Sequence, residues 1–221
     1  MAVTLDKAKE IRKGEGLDEG ALKKYLSEQL KVPNGALQIR QFPSGFSNLT
    51  YLINFADKEY VLIRPPFGAN LTSGHDMSRV FKIHTALKGS YDKAPNPILF
   101  EEKAEVLDAP FYLMERVQGI ILRAGIKKEN LPTPHQFKSL SNNFVDTLVE
   151  LHQLDYKAIG LETLGNPEGY TTRQVEGWSK RYLKSKTSTV ETMEKTALWL
   201  QENIPPTSGA SLIHNDFKYD N

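Results

Sequence analysis

A change of apolar rhythm between Leu37 and Arg64 limits the fold of this chain more than any other feature. Three runs, Leu37-Gln38-Ile39, Thr50-Tyr51-Leu52-Ile53-Asn54-Phe55 and Tyr60-Val61-Leu62-Ile63-Arg64, are rich in β-branched and aromatic residues and are parted by turn residues. Such spacing predicts consecutive antiparallel strands. A helix is expected from about His75 to Leu87, and Pro95-Asn96-Pro97 then breaks the chain before two more strand-like stretches, Ile98-Leu99-Phe100 and Phe111-Tyr112-Leu113-Met114. The order is five strands with one inserted helix.

Helical periodicity holds on either side of this block. Upstream, Asp18 can cap a helix whose stripe is Ala21, Leu22, Tyr25, Leu26 and Leu30, stopped by Pro33-Asn34-Gly35. Downstream of Gln118-Gly119, Thr133-Pro134 starts a helix that repeats Phe137, Leu140, Phe144, Leu148 and Leu151 on one face. Two further helical stretches, about Thr172 to Lys184 and Val190 to Asn203, precede a Pro205-Pro206-Thr207-Ser208-Gly209 loop and a short apolar strand, Ser211-Leu212-Ile213. The expected fold class is α+β in two lobes: residues 1–117 carry the antiparallel sheet, and residues 118–221 form a mainly helical lobe.

Composition removes several function classes. With 28 Lys and Arg against 27 Asp and Glu, net charge +1, there is no overall basic field for nucleic acid or anionic lipid. The chain has no cysteine, which excludes disulfides and thiolate metal sites. The amino terminus lacks the apolar core of a signal peptide and no apolar run reaches membrane-spanning length, so the expectation is a soluble, cytoplasmic protein. No G-x-x-x-x-G-K-[ST] run occurs, which excludes P-loop chemistry.

The chemistry is concentrated at His214-Asn215-Asp216-Phe217-Lys218-Tyr219-Asp220-Asn221, which fits the catalytic-loop pattern H-x-D-x-x-x-x-N. Phosphoryl transfer needs a carboxylate to accept or orient the proton of the acceptor hydroxyl, and a neutral oxygen ligand to help hold magnesium beside the phosphates. Asp216 and Asn221 supply those groups, and their five-residue separation lets both point from one loop into the same cleft. Lys218 is placed to neutralise charge developing on the transferred group; a solvent-facing lysine is the alternative. His214 braces the loop. His152, beside the apolar face of its helix, is expected to be a packed structural histidine.

These residues resemble the aminoglycoside phosphotransferase-like kinases, from about Arg12 to Asn221. Within them, Phe46-Ser47-Asn48-Leu49-Thr50-Tyr51-Leu52, Tyr60-Val61-Leu62-Ile63-Arg64-Pro65-Pro66, Tyr112-Leu113-Met114-Glu115-Arg116-Val117-Gln118-Gly119 and Pro167-Glu168-Gly169-Tyr170 look like the branch fused to acyl-CoA dehydrogenases in some eukaryotes. The resemblance implies a protein-kinase-like fold, ATP and Mg2+ as cofactors, and transfer to a hydroxyl of a small molecule, with hydroxyacyl-CoA a candidate and an antibiotic not expected. The turn Pro43-Ser44-Gly45-Phe46-Ser47-Asn48 then covers the nucleotide phosphates through Gly45, Ser47 and Asn48, or is an ordinary hairpin turn. Arg64 takes the place of the lysine that ends the third strand and holds phosphates, or is a surface arginine before Pro65-Pro66.

The same resemblance puts Val80 where the helix glutamate that pairs with this cation belongs, and Asp76, one turn earlier, is the candidate substitute. Backbone groups near Glu115 and Val117 are the expected adenine contacts. Tyr170, Trp178 and Tyr182 either wall a substrate pocket or belong to a core. In the family a further aspartate holds magnesium beyond the position of Asn221, so the sequence is expected to be a fragment of a longer gene product. A catalytically impaired nucleotide-binding pseudokinase or scaffold is the alternative function. The sequence carries no signal for oligomeric state.

Overall fold

Five strands, β1 (Leu37–Gln41), β2 (Leu49–Phe55), β3 (Lys58–Arg64), β4 (Pro97–Glu101) and β5 (Phe111–Glu115), form one antiparallel sheet in the order β1-β2-β3-β5-β4. The structure is a computed structural model and describes residues 7–33, 35–43, 48–69, 76–122, 126, 131–207 and 209–220. Five helices accompany the sheet: α1 (Glu19–Gln29), α2 (Met77–Leu87), α3 (Pro134–Gln153), α4 (Tyr170–Ser185) and α5 (Glu191–Glu202).

The two-residue period of the strands divides the side chains between two faces. Leu49, Tyr51, Ile53 and Phe55 of β2, Leu62 of β3, and Phe111 and Leu113 of β5 meet Leu22 and Leu26 of α1 in the main core. Tyr25 of α1 packs its ring edge-on to Phe111 at 5.7 Å. On the opposite face Leu52 and Val61 cluster with Phe42, and Ile63 and Met114 pack against them. There α2 covers β4 and β5, with Phe81 stacked on Phe100 at 5.5 Å and His84 against Tyr112 at 6.1 Å. The sheet therefore lies between α1 and α2.

Local chemistry sets the boundaries of these elements. Ala56 and Asp57 both have positive φ and join β2 to β3 as a two-residue hairpin, the geometry that matches strand twist. Gly35 lies so close to the Phe55 ring that a Cβ there would come within 2.7 Å of it. The Asp18 side chain accepts the Ala21 N–H to cap α1, and Thr133 with Gln136 forms a reciprocal capping box at the start of α3. Ahead of α1, Lys9 exchanges two backbone hydrogen bonds with Gln41. The buried Gln41 amide accepts from the Arg12 N–H and donates to the Glu15 carboxylate, and the Tyr51 hydroxyl donates to the Glu15 carbonyl at 2.7 Å.

The chain divides into two compact units, Met1–Leu154 with Ile213–Asn221, and Asp155–Leu212. The first holds the sheet, α1 to α3 and the closing loop. In the second, α4 and α5 pair with each other, Leu161 is buried in the preceding turns, and Lys186 bridges to Glu194 at 2.5 Å. No described residue of α4 or α5 is buried, and Trp178 is 63% exposed, so the aromatic spacing there does not mark a core within this unit.

Two expectations are corrected. Ser211, Leu212 and Ile213 do not form a strand. Strand geometry persists only where a neighbour takes up the ladder hydrogen bonds, and among the described residues these three make no backbone hydrogen bond. His152 is exposed rather than packed. It lies in the last turn of α3, where a basic side chain complements the helix dipole. Among the described residues no helix is long and apolar enough to cross a membrane.

Candidate active site

The loop after Ile213 is held to α3 by aromatic packing. Phe144 meets the Phe217 ring at 4.2 Å and the Tyr219 ring at 4.7 Å, and His214 packs edge-on to Phe217 at 5.5 Å. Polar contacts fix the backbone between these rings. The Asp216 N–H donates to His214 Nδ1 at 3.3 Å, and the Leu122 N–H donates to the Tyr219 carbonyl at 3.1 Å. The Tyr219 hydroxyl donates to Ser141 Oγ at 3.4 Å. Asn215 has φ +67°, a left-handed conformation that asparagine tolerates better than most residues, and it turns the chain just before Asp216.

This bracing leaves the reactive groups in solvent. Asp216 is 63% exposed at its side chain, and the Lys218 ammonium lies 3.4 Å from its Oδ1 and 3.8 Å from Asp220. The two residues singled out for catalysis are thus neighbours on one ordered loop. Asn221, the expected magnesium ligand, lies outside the described residues, as do Gly45 and Ser47 of the expected phosphate turn. Asn48 immediately precedes β2 and is half-buried.

Strand register puts Arg64 somewhere other than expected. Its Cα partner on β2 is Leu49, a main-core residue, so its side chain shares the α1 face with Leu62 and Tyr51. There it is 2% exposed, its Nε donates to the Pro65 carbonyl at 3.2 Å, and its guanidinium stacks 3.8 Å above the Phe67 ring. Burial lowers the pKa of the guanidinium, opposed by the Tyr51 phenol and Asp108. The Tyr51 phenol is pushed up to about 12, first by burial, against the pull of Arg64.

The residue of this strand end that faces α2 is Ile63, whose Cα partner on β5 is Tyr112, the residue under His84. The expected pairing of Arg64 with Asp76 is therefore not formed. Asp76 is instead the N-cap of α2, its Oδ1 taking the Ser78 hydroxyl at 2.6 Å and the Arg79 N–H at 3.0 Å. Those bonds, Ser78 first, lower the pKa of its carboxyl. The D-x-S-R sequence at 76–79 carries this cap signal, and strict alternation counted back from Leu62 would have put Arg64 on the α1 side.

At the end of β5 the Glu115 side chain turns to the Asn96 backbone. Its carboxylate accepts the Asn96 N–H at 3.0 Å, and hydrogen bonding from Asn96 lowers its pKa. The Glu115 N–H donates to the Asn96 carbonyl at 2.9 Å. Arg116 is bound to Glu59 at 2.6 Å, and Val117 is 66% exposed with no backbone hydrogen bond among the described residues. Of the expected adenine contacts, the Val117 backbone is the one left open.

An antiparallel five-stranded sheet with one helix inserted between β3 and β4, followed by helices and a braced H-x-D loop, is a kinase-like α+β fold. A model of the phosphotransferase enzyme family matches residues 38–221, and the chain belongs to that family. It is 34% identical over 217 residues to acyl-CoA dehydrogenase family member 11 of Gallus gallus, covering 96% of this chain and 28% of that protein. It is also 34% identical over 214 residues to acyl-CoA dehydrogenase family member 10 of Mus musculus, covering 96% of this chain and 20% of that protein. A solved structure from Ralstonia eutropha JMP134, assigned as an aminoglycoside phosphotransferase, superposes with a TM-score of 0.78 at 28% identity, over 93% of this chain and 60% of that one. The chain thus spans about a quarter of the length of the curated relatives it matches.

Proposed function

We propose that the chain supplies the nucleotide-binding sheet and catalytic loop of an ATP-dependent phosphotransferase acting on a small-molecule hydroxyl. The observation that carries this reading is the Asp216–Lys218 pair, exposed on a loop whose rings pack on Phe144 of α3 and whose backbone is bonded to Leu122. Asp216 accepts the proton of the acceptor hydroxyl as its oxygen bonds to the γ-phosphorus and the bond to the ADP leaving oxygen breaks. Lys218 offsets the charge spread over the transferred group. The Val117 backbone takes the adenine edge. The relatives' acyl-CoA dehydrogenase names favour a hydroxylated acyl-CoA over a sugar antibiotic as acceptor.

Magnesium fits the donors present. By sequence Asn221 would offer it an amide oxygen, and Asp220 beside it a hard carboxylate oxygen, leaving Asp216 for the acceptor proton. So small a donor set would suit a cation that keeps several waters and takes its remaining ligands from phosphates. Bound there, magnesium would neutralise phosphate charge.

The test is ADP release and acceptor phosphorylation by the full protein with Mg-ATP, offering hydroxyacyl-CoA beside an aminoglycoside. Phosphorylated acyl-CoA formed by wild type and not by Asp216→Asn is expected. Equal product from both proteins overturns the assignment.

A second reading, a nucleotide-binding protein with impaired turnover, is favoured by one observation. The β3 end facing α2 carries Ile63 while Arg64 is turned to the α1 face, and α2 carries Val80 where the resemblance calls for an acid. Saturable Mg-ATP binding without ADP release under any acceptor would establish it.

A further inference from the structure

One stripe of α3 touches both the catalytic loop and the loop that follows α2. Ser141 and Phe144 hold Tyr219 and Phe217. Three and six residues after Phe144, Thr147 and Glu150 hold the segment between α2 and β4: the Tyr91 hydroxyl donates to the Thr147 carbonyl at 3.0 Å, and Lys93 bridges to Glu150 at 2.6 Å. Residues three apart on a helix lie side by side, so these contacts form one continuous row.

The near end of the row is equally tied to α2. The Tyr91 N–H donates to the Leu87 carbonyl at 2.9 Å, closing the last turn of the helix, and Leu87 is buried. The two side-chain links differ in kind. The Lys93–Glu150 pair is about half exposed, where long side chains in water hold one another weakly. The Tyr91 ring is half-buried, and its hydroxyl reaches a carbonyl already inside a helix, so losing it leaves both helices intact and only the half-exposed Lys93–Glu150 pair between them. A cleft of about 640 Å³ opens alongside, lined by Tyr91, Lys93, Glu150 and Gln153.

We infer that Tyr91 is a positioning residue: through Thr147 and the Phe144 row it fixes the 214–220 loop relative to α2 and the sheet. Its hydroxyl takes no part in the chemistry. The consequence for turnover rests on the phosphotransferase reading above; the consequence for loop order does not.

The experiment compares wild type, Tyr91→Phe and Leu26→Ala in the full protein. Leu26→Ala lies in the α1 core, far along the fold from this row, and reports what loss of stability alone does. Amide hydrogen exchange at Leu122, whose N–H binds the Tyr219 carbonyl, reads loop order without any acceptor. Tyr91→Phe is expected to speed that exchange roughly five-fold, the factor of one net hydrogen bond, with no comparable rise in Leu26→Ala at matched distance from unfolding. Where the protein turns over, kcat falls in Tyr91→Phe while KM for Mg-ATP stays constant. Unchanged Leu122 exchange in Tyr91→Phe, or an equal rise in Leu26→Ala, overturns the inference. Faster exchange in Tyr91→Phe, in a protein whose wild type transfers no phosphate, would overturn the function and leave the positioning role standing.

Discussion

The Lys218 ammonium stands 3.4 Å from the Asp216 carboxylate with both side chains about half or more exposed. An ion pair so open to water adds little to folding, typically well under 1 kcal/mol. In the phosphotransferase proposed above, the role of the pair is therefore chemical. Asp216→Asn should lower phosphate transfer by about 10² to 10⁴, the range of a lost general base. Lys218→Met should cost on the order of 10². Thermal melts of both variants should stay within about 0.5 kcal/mol of wild type. A large loss of stability in either would assign the pair to the fold.

Arg64 and Ile63 exchange the roles that adjacency in sequence suggests. Arg64 is buried on the α1 face beneath Tyr51 and on Phe67, so removing it deletes packing and a hydrogen bond. Arg64→Met should therefore destabilise the protein by about 1 to 3 kcal/mol, while the dissociation constant for Mg-ATP stays within about two-fold of wild type, since the strand register turns the guanidinium away from α2. Calorimetric titration beside a denaturant melt separates the two effects. A ten-fold weaker nucleotide with an unchanged melt would return Arg64 to the phosphates.

Much of this fold was legible because burial follows the period of the sequence. The β2 run Leu49 to Phe55 puts alternate residues in the main core, and Phe137, Leu140, Phe144, Leu148 and Leu151, with Thr147 beside them, are the α3 residues turned inward or half inward. The motif singled out Asp216 and Lys218, which stand 3.4 Å apart on one loop. Illegible features depended on partners distant in sequence. Ser211 to Ile213 has strand composition and no ladder, Asp76 was claimed by its own helix as a cap, and Arg64 was assigned by family position when alternation from Leu62 already turned it toward α1. Tyr91 had no signal at all, because a hydroxyl reaching a carbonyl 56 residues away leaves no local pattern.

His84 is a half-buried group subject to proton linkage. It lies in the last turn of α2 with its ring against Tyr112, and its Nδ1 has no hydrogen-bond partner among the described residues. Burial lowers its pKa, so the folded protein holds it neutral where the unfolded chain, with a histidine pKa of about 6.5, begins to bind a proton. The unfolded state then carries more protons, and stability falls as pH drops below that value until the folded pKa is reached. The slope is at most about 1.4 kcal/mol per pH unit for one site. The depressed carboxyls of Glu15, Asp76 and Glu115 act in the same direction but only below about pH 4.3, so they do not enter between pH 5.5 and 7.5. Urea midpoints across that interval should rise with pH in wild type and flatten in His84→Leu, which keeps an apolar contact on Tyr112. An equal slope in both proteins would show that His84 can be protonated in place, with α2 still seated on the sheet.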